Sequence, residues 1–251
     1  MNWVLKSVSN SEIGRLANDA HISPLLARIL LSRGFKHSRS VLRFLHPKIG
    51  HLHNPDLMKD LGKAVERIKY AVRKKERILV YGDYDVDGIT SSALALRALR
   101  RLGAEVDYFL PNRIHDGYGM QEERVEWAVA RGYRVIISVD TGIRELLALE
   151  KAQRLGVDCI VVDHHLPGDQ APPAFAILNP LQKSCVYPDK GLAAVGLTFK
   201  LAQGLASTDD DREALKEDLS LAMIGTVADC APLMGENRII AHFGLEALKK
   251  T

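Results

Sequence analysis

The chain has 251 residues, 47% of them hydrophobic and 26% charged, with a formal charge of +3 and three cysteines. That length and balance support a buried core in one large domain or one domain with an appendage. They exclude a membrane span, because no apolar run is long enough, and Cys159, Cys185 and Cys230 include no C-x-x-C pair, which argues against a disulfide framework or a thiolate zinc site.

In chain order, the start Met1-Asn-Trp-Val-Leu-Lys6 lacks the apolar core of a signal peptide, so a cytoplasmic protein is expected. Ser23-Pro24 predicts a helix to about Ser32, with Ser as N-cap and Pro at the first position, and a second short helix spans Ser38 to Leu45, ended by Pro47. Leu61, Val65, Ile68 and Val72 share one face at helical spacing, giving a helix that leads into a strand at Arg77 to Tyr81. Strands and helices then alternate: helix Thr90 to Leu102, strand Glu105 to Leu110, helix Gln121 to Ala130, strand Arg134 to Val139, helix Arg144 to Leu155, strand Val157 to Val162. Gly103, Gly132 and Gly156 stop the helices. Beyond a run at Ala174 to Leu178, helices are expected over Ala193 to Leu205, Arg212 to Ile224 and Asn237 to Lys249. The expected fold is α/β, a doubly wound, mainly parallel sheet flanked by helices, with a short helical N-terminal leader. The leader is taken as residues 1–60 and the α/β domain as 61–251.

Three of the apolar runs pass directly into acids: Ile78 to Tyr81 into Asp83-Tyr-Asp85-Val-Asp87-Gly88, Val135 to Val139 into Asp140, and Cys159 to Val162 into Asp163-His164-His165. Ligands of open α/β sheets collect beyond the carboxyl ends of the strands, so these acids are expected to converge. Convergent carboxylates repel unless divalent cations hold them. A carboxylate-rich set with few histidines and no thiolate favours Mn2+ or Mg2+, and a two-cation centre would activate water and stabilise the leaving oxygen of a phosphoester. Of two adjacent histidines whose side chains diverge, one can bind metal while the other faces substrate.

Competing readings are weaker. Asp83-x-Asp85-x-Asp87-Gly88 matches the first half of an EF-hand loop, but the twelfth position, where a bidentate Glu closes the coordination sphere, is Leu94. A phosphatase with an aspartate nucleophile at Asp83 or Asp85 leaves the histidines unexplained. Helix caps and turns account for any one Asp, though not for three strand ends in succession.

Charge is uneven: residues 1–77 carry 16 Lys+Arg against 6 Asp+Glu, the remainder 18 against 25. A basic segment beside an acidic metal core suits a polyanionic substrate; the alternative is a solvated helix face.

Gly82-Asp-Tyr-Asp-Val-Asp-Gly-Ile-Thr90, Asp140 after its strand, Asp163-His164-His165 and Gly225-Thr-Val-Ala-Asp229 together resemble the four ordered motifs of the DHH phosphoesterases. The match is closest to the single-strand-specific 5′→3′ exonuclease branch, which Phe44-Leu-x-Pro47, Arg113-x-x-x-Gly117-Tyr-Gly119, Asn179-Pro180 and Tyr187-Pro-x-Lys-Gly-Leu-Ala-Ala-Val-Gly196 also resemble. By resemblance, Asp83, Asp85, Asp140, His164 and Asp229 are metal ligands, with Asp140 placed to bridge. His165 contacts the scissile phosphate, Asp163 orients its neighbours, and Arg113 clamps a phosphate. Asp229 enters through this resemblance alone, since Ala228-Asp229-Cys230 by itself reads as a helix end. The resemblance implies hydrolysis of single-stranded DNA with Mn2+ or Mg2+ in repair and recombination, with a single-strand-binding protein and a helicase as partners. The family's second substrate-binding domain and oligonucleotide-binding barrel are not read in this sequence, so a truncated relative with a weakened grip on DNA is expected. The alternatives are a short-oligonucleotide or cyclic-dinucleotide phosphodiesterase, and a catalytically idle nucleic-acid-binding piece.

Overall fold

The computed structural model describes residues 6–114, 117 and 119–250, and the chain divides into two compact units, Met1–His51 and Leu52–Thr251.

The first unit carries helices α1 (Asn10–Ala20), α2 (Pro24–Ser32) and α3 (Ser38–Leu45). The last two have the bounds that their caps predict: Ser23 Oγ accepts from Leu26 N at 3.2 Å, Pro24 opens α2, and Pro47 follows α3. α1 lies ahead of any predicted helix. It is marked by a capping box, in which Ser9 Oγ accepts from Glu12 N at 3.2 Å and the Glu12 carboxylate accepts from Ser9 N at 3.3 Å. Ile13, Leu16, Ala27, Leu30, Phe35 and Val41 give this unit a core of its own.

In the second unit, helix α4 (Leu61–Lys74) leads to strand β1 (Arg77–Tyr81), followed by α5 (Val86–Arg101), β2 (Val106–Phe109), α6 (Glu122–Ala130), β3 (Tyr133–Val139), α7 (Leu146–Arg154), β4 (Asp158–Val162) and β5 (Ala176–Leu178). Helices α8 (Ala194–Leu205), α9 (Asp209–Ala228) and α10 (Gly235–Leu248) complete it. The five strands are all parallel in the order β2-β1-β3-β4-β5. Successive side chains of a strand point to opposite faces, and both faces here are covered. Ile78, Val80, Ile137 and Val162 pack with residues of α4, α5 and α8, whereas Leu79, Tyr81, Ile136 and Val161 pack with residues of α6 and α7. Residues 52–60 also belong to this unit: Met58 is buried in its core and the Asp60 carboxylate accepts from Ile177 N at 3.2 Å. Among the described residues no helix is long and apolar enough to cross a membrane.

Two helices start three or more residues ahead of their sequence-predicted bounds. α5 starts at Val86 instead of Thr90, because Asp85 caps it by accepting from Gly88 N at 2.9 Å. α9 starts at Asp209 instead of Arg212, under a capping box between Thr208 and Asp211, and runs on to Ala228. The order in which strands are added reverses between β1 and β3, β2 lying to one side and β4 and β5 to the other, and at that point a parallel sheet leaves a crevice beyond its strands.

Candidate metal centre

Register sets the site. Tyr81 of β1 pairs with Ser138 of β3, and Val139 with Val162 of β4, so the three strands deliver their next residues to one edge of the sheet. Asp83 and Asp85 follow β1, Asp87 lies in the first turn of α5, Asp140 follows β3, and Asp163-His164-His165 follows β4. Asp229 arrives from the other direction as the C-cap of α9.

These residues form three overlapping sets whose ligand atoms all lie within 4.8 Å of one another: Asp83 with Asp85 and Asp140, Asp87 with His164 and Asp229, and Asp140 with His164 and His165. All five sequence-predicted ligands are therefore brought together, and Asp140 and His164 each belong to two sets. His164 Nε2 is 3.3 Å from Asp140 Oδ1 and 3.9 Å from Asp87 Oδ2, and its Nδ1 is 3.9 Å from Asp229 Oδ2. Two adjacent ligands of an octahedral cation with bonds of about 2.1 Å stand about 3 Å apart, the scale of the His164 to Asp140 separation.

The electrostatics call for cations. Asp83, Asp87 and Asp140 are buried. Burial, then the charges of Asp87, Asp85 and Asp163, push Asp140 up to about 10, and burial takes Asp87 up to about 6. Burial also raises Asp83. Asp140 Oδ1 is buried without a hydrogen-bond partner, and its backbone takes φ of 63°, a conformation in which Asp is among the few tolerated residues. An oxygen-rich set with imidazole and no thiolate fits Mn2+ or Mg2+.

Around this set, other residues hold the ligands in place. Asp163 lies beneath His165: its Oδ1 is 2.7 Å from His165 Nδ1 and accepts from His165 N at 3.0 Å, while Oδ2 accepts from Ile143 N at 3.0 Å. Burial opposes ionisation of Asp163, but these bonds and the His165 charge outweigh it and hold the carboxyl below its usual range. The same bond raises His165. Asn179, fully buried, donates to the His165 carbonyl at 2.8 Å, so Asn179-Pro180 acts on the backbone of this loop.

Asp87 is among the acids whose convergence the sequence predicts, without being assigned there as a ligand, and the fold encloses it almost completely. The N–H groups of Ala194 and Val195, at the start of α8, donate to its two oxygens at 2.8 and 2.9 Å, which gives the stretch Gly191 to Gly196 a role in fixing it. Gly225 lets α9 close on the same spot, since a Cβ there would come within 2.3 Å of Thr90 Oγ1 and 2.9 Å of Asp87 Oδ1. The Asp83-x-Asp85-x-Asp87 spacing is the available signal. Arg113 is exposed, with its guanidinium 5.5 Å from the centre of the Tyr84 ring, and Tyr118 of the same motif lies outside the described residues.

The family model described as "DHH family, N-terminal domain" matches residues 77–226. The single-stranded-DNA-specific exonuclease RecJ of Bacillus subtilis (strain 168) is 43% identical over 251 residues, covering 100% of this chain and 31% of the relative. The protein of the same name from Escherichia coli (strain K12) is 40% identical over 241 residues, 92% of this chain and 41% of the relative. The chain thus spans well under half the length of either. Among solved structures, RecJ from Thermus thermophilus in complex with Mn2+ superposes with a TM-score of 0.77 at 31% identity, over 96% of this chain and 34% of that one. A structure of exonuclease RecJ bound to manganese gives 0.69 at 35% identity, over 79% of this chain and 49% of that one.

Proposed function

This chain belongs to the DHH family, and from that premise we propose that it carries the phosphodiesterase centre of a RecJ-type 5′→3′ exonuclease that degrades single-stranded DNA in repair and recombination. The observation that supports this most directly is the convergence of Asp83, Asp85, Asp87, Asp140, His164 and Asp229 at the switch point of the sheet. Asp83, Asp85, Asp140, His164 and Asp229 hold the cations, joined by Asp87, which the fold adds to the set. When bound, a pair of Mn2+ or Mg2+ ions supplies Lewis-acid charge and an activated water.

The protein's own groups do the positioning. His165 pairs through Nδ1 with Asp163, which leaves Nε2 to face a phosphate oxygen, and the carboxylate beside it raises the proton affinity of the ring, which favours donation to negative charge building there. Arg113, exposed beside Tyr84, reaches an adjacent phosphate. Some of the basic residues of the leader, which the fold ends at His51, contribute to holding the strand, and the unit from Leu52 onward carries the chemistry. The protein works in the cytoplasm, with a single-strand-binding protein and a helicase as partners.

End-labelled single- and double-stranded DNA incubated with Mn2+, Ca2+ or excess chelator tests this. Mn2+-dependent shortening of single strands from the 5′ end is expected, with Ca2+ less effective. Turnover in chelator, or indifference to strandedness, overturns it.

A further inference from the structure

We propose that a groove formed by α3 and the turn after it is a binding site for the phosphodiester backbone of single-stranded nucleic acid. The groove has a volume of about 680 Å³ and is lined by Ser38, Arg39, Leu42, Arg43, His46, Lys48 and His51. Three permanent cations, two imidazoles and a hydroxyl line it, and no acid does. Residues 20–55 contain no Asp or Glu and six Lys or Arg, so the sequence around it offers no neutralising partner. Among the described residues, Arg39, Arg43 and Lys48 make no ion pair, although elsewhere Arg67, Arg97, Arg101 and Lys200 each pair with a carboxylate.

Arg39 and Arg43 stand four residues apart, one turn above the other. Like charges at that spacing repel one another along a helix face. The carboxyl end of α3 favours Arg43 in its last turn, but among the described residues no acid pairs with either arginine, and an external polyanion would neutralise both. No Phe, Tyr or Trp lines the groove, so it lacks the large ring platforms on which successive bases stack. Arginine, lysine and hydroxyl donors instead suit phosphate oxygens, which are the same whatever the sequence. The groove deepens the nuclease reading, on which its choice of ligand rests, by naming where the leader touches the strand.

The test uses the whole chain and a fluorescein-labelled oligothymidylate, with binding followed by anisotropy in chelator across a salt series. Each phosphate neutralised on a single strand contributes about −0.7 to the log–log salt slope, so Arg39→Ala/Arg43→Ala/Lys48→Ala is expected to flatten the slope by about 2. Arg28→Ala/Arg33→Ala/Lys36→Ala removes the same charge outside the groove and is expected to keep the slope, and Arg39→Lys/Arg43→Lys to keep most of it. Circular dichroism of each variant identifies any loss of fold, in which case the Lys variant and the control decide. Equal flattening by both alanine triples would show a diffuse basic cloud and overturn the proposal, as would an unchanged slope in both. Mn2+-dependent hydrolysis of bis(p-nitrophenyl) phosphate by the unaltered chain is measured alongside. Its absence would count against the nuclease reading while leaving the groove result to stand or fall by itself.

Discussion

His164 Nε2 stands 3.3 Å from Asp140 Oδ1, an oxygen that is buried and receives no hydrogen bond. An imidazole and a carboxylate oxygen at that distance suit adjacent ligands of one cation, and several consequences can be measured.

The first concerns pH. Without a cation, burial and the neighbouring carboxylates lift Asp140 from 3.8 to about 10. Between those values the folded state binds a proton that the unfolded state has released, so metal-free stability falls as pH rises and levels off above about 10. Mn2+ displaces that proton, so its affinity increases with pH across the same window. Thermal melts in chelator and in Mn2+ should therefore separate further as the buffer becomes more alkaline. A gap that does not change with pH would refute this.

Asp140→Asn keeps a residue that tolerates φ of 63° and is neutral in the folded cluster without having to take up a proton. In chelator it should melt above the unaltered chain, yet gain little from Mn2+ and lose several orders of magnitude in hydrolysis rate. Asp140→Ala, which also bears the left-handed backbone, should be less stable than Asp140→Asn by about 1–2 kcal/mol. Near-normal turnover in a folded Asp140→Asn variant would relocate the metal site.

The two histidines should separate in function. His164→Ala is expected to weaken Mn2+ binding at least about tenfold. His165→Ala should leave Mn2+ binding near normal and lower kcat by about 10²–10⁴. Because His165 also lies in one ligand set with Asp140 and His164, titrating Mn2+ into both variants is decisive: equal losses of affinity would make His165 a ligand.

Gly225→Ala places a methyl group 2.8 Å from Val195 Cγ1 and closer still to Thr90 Oγ1. We expect a loss of about 1–3 kcal/mol in urea unfolding, as for other overpacked sites, together with weaker Mn2+ binding as α9 and Asp229 move away. Unchanged stability would mean that α9 does not close on α5 as described.

Lys200 and Glu236, both buried, pair at 2.5 Å, and Glu236 also accepts from Tyr187 Oη and His53 N. Lys200→Met strands the carboxylate and should cost about 3–5 kcal/mol, whereas adding Glu236→Gln should recover part of that. Simple additivity of the two substitutions would rule out the coupling.

Much of this architecture could be read from the chain. Strands buried on both faces must be apolar throughout, which is why β1, β3 and β4 are visible as uninterrupted runs, and the first polar residues after them are visible as site residues. Helix starts are less legible where an aspartate serves two purposes. Asp85 caps α5 while its carboxylate also belongs to the ligand cluster, so the helix begins one turn before its apolar pattern does. The capping box Ser9-x-x-Glu12 and the spacing of Ile13, Leu16, Ala17 and Ala20 on one face both carry the signal for α1, so this helix too is legible in the local sequence.

Asp87 and Asp229 mark where local sequence reading ends. Nothing beside Asp87 shows that the start of α8, more than 100 residues later, will turn two N–H groups onto it. Nor does Ala228-Asp229-Cys230 show that the end of α9 will face His164. The local sequence determined the strands, their order of acids and the polar edge, because burial and periodicity act between neighbours. Tertiary structure alone decided which acids share a cation, because ligand distances depend on how closely α8 and α9 pack over the sheet, and that closeness rests on contacts such as Gly225 against Thr90 that no single segment contains.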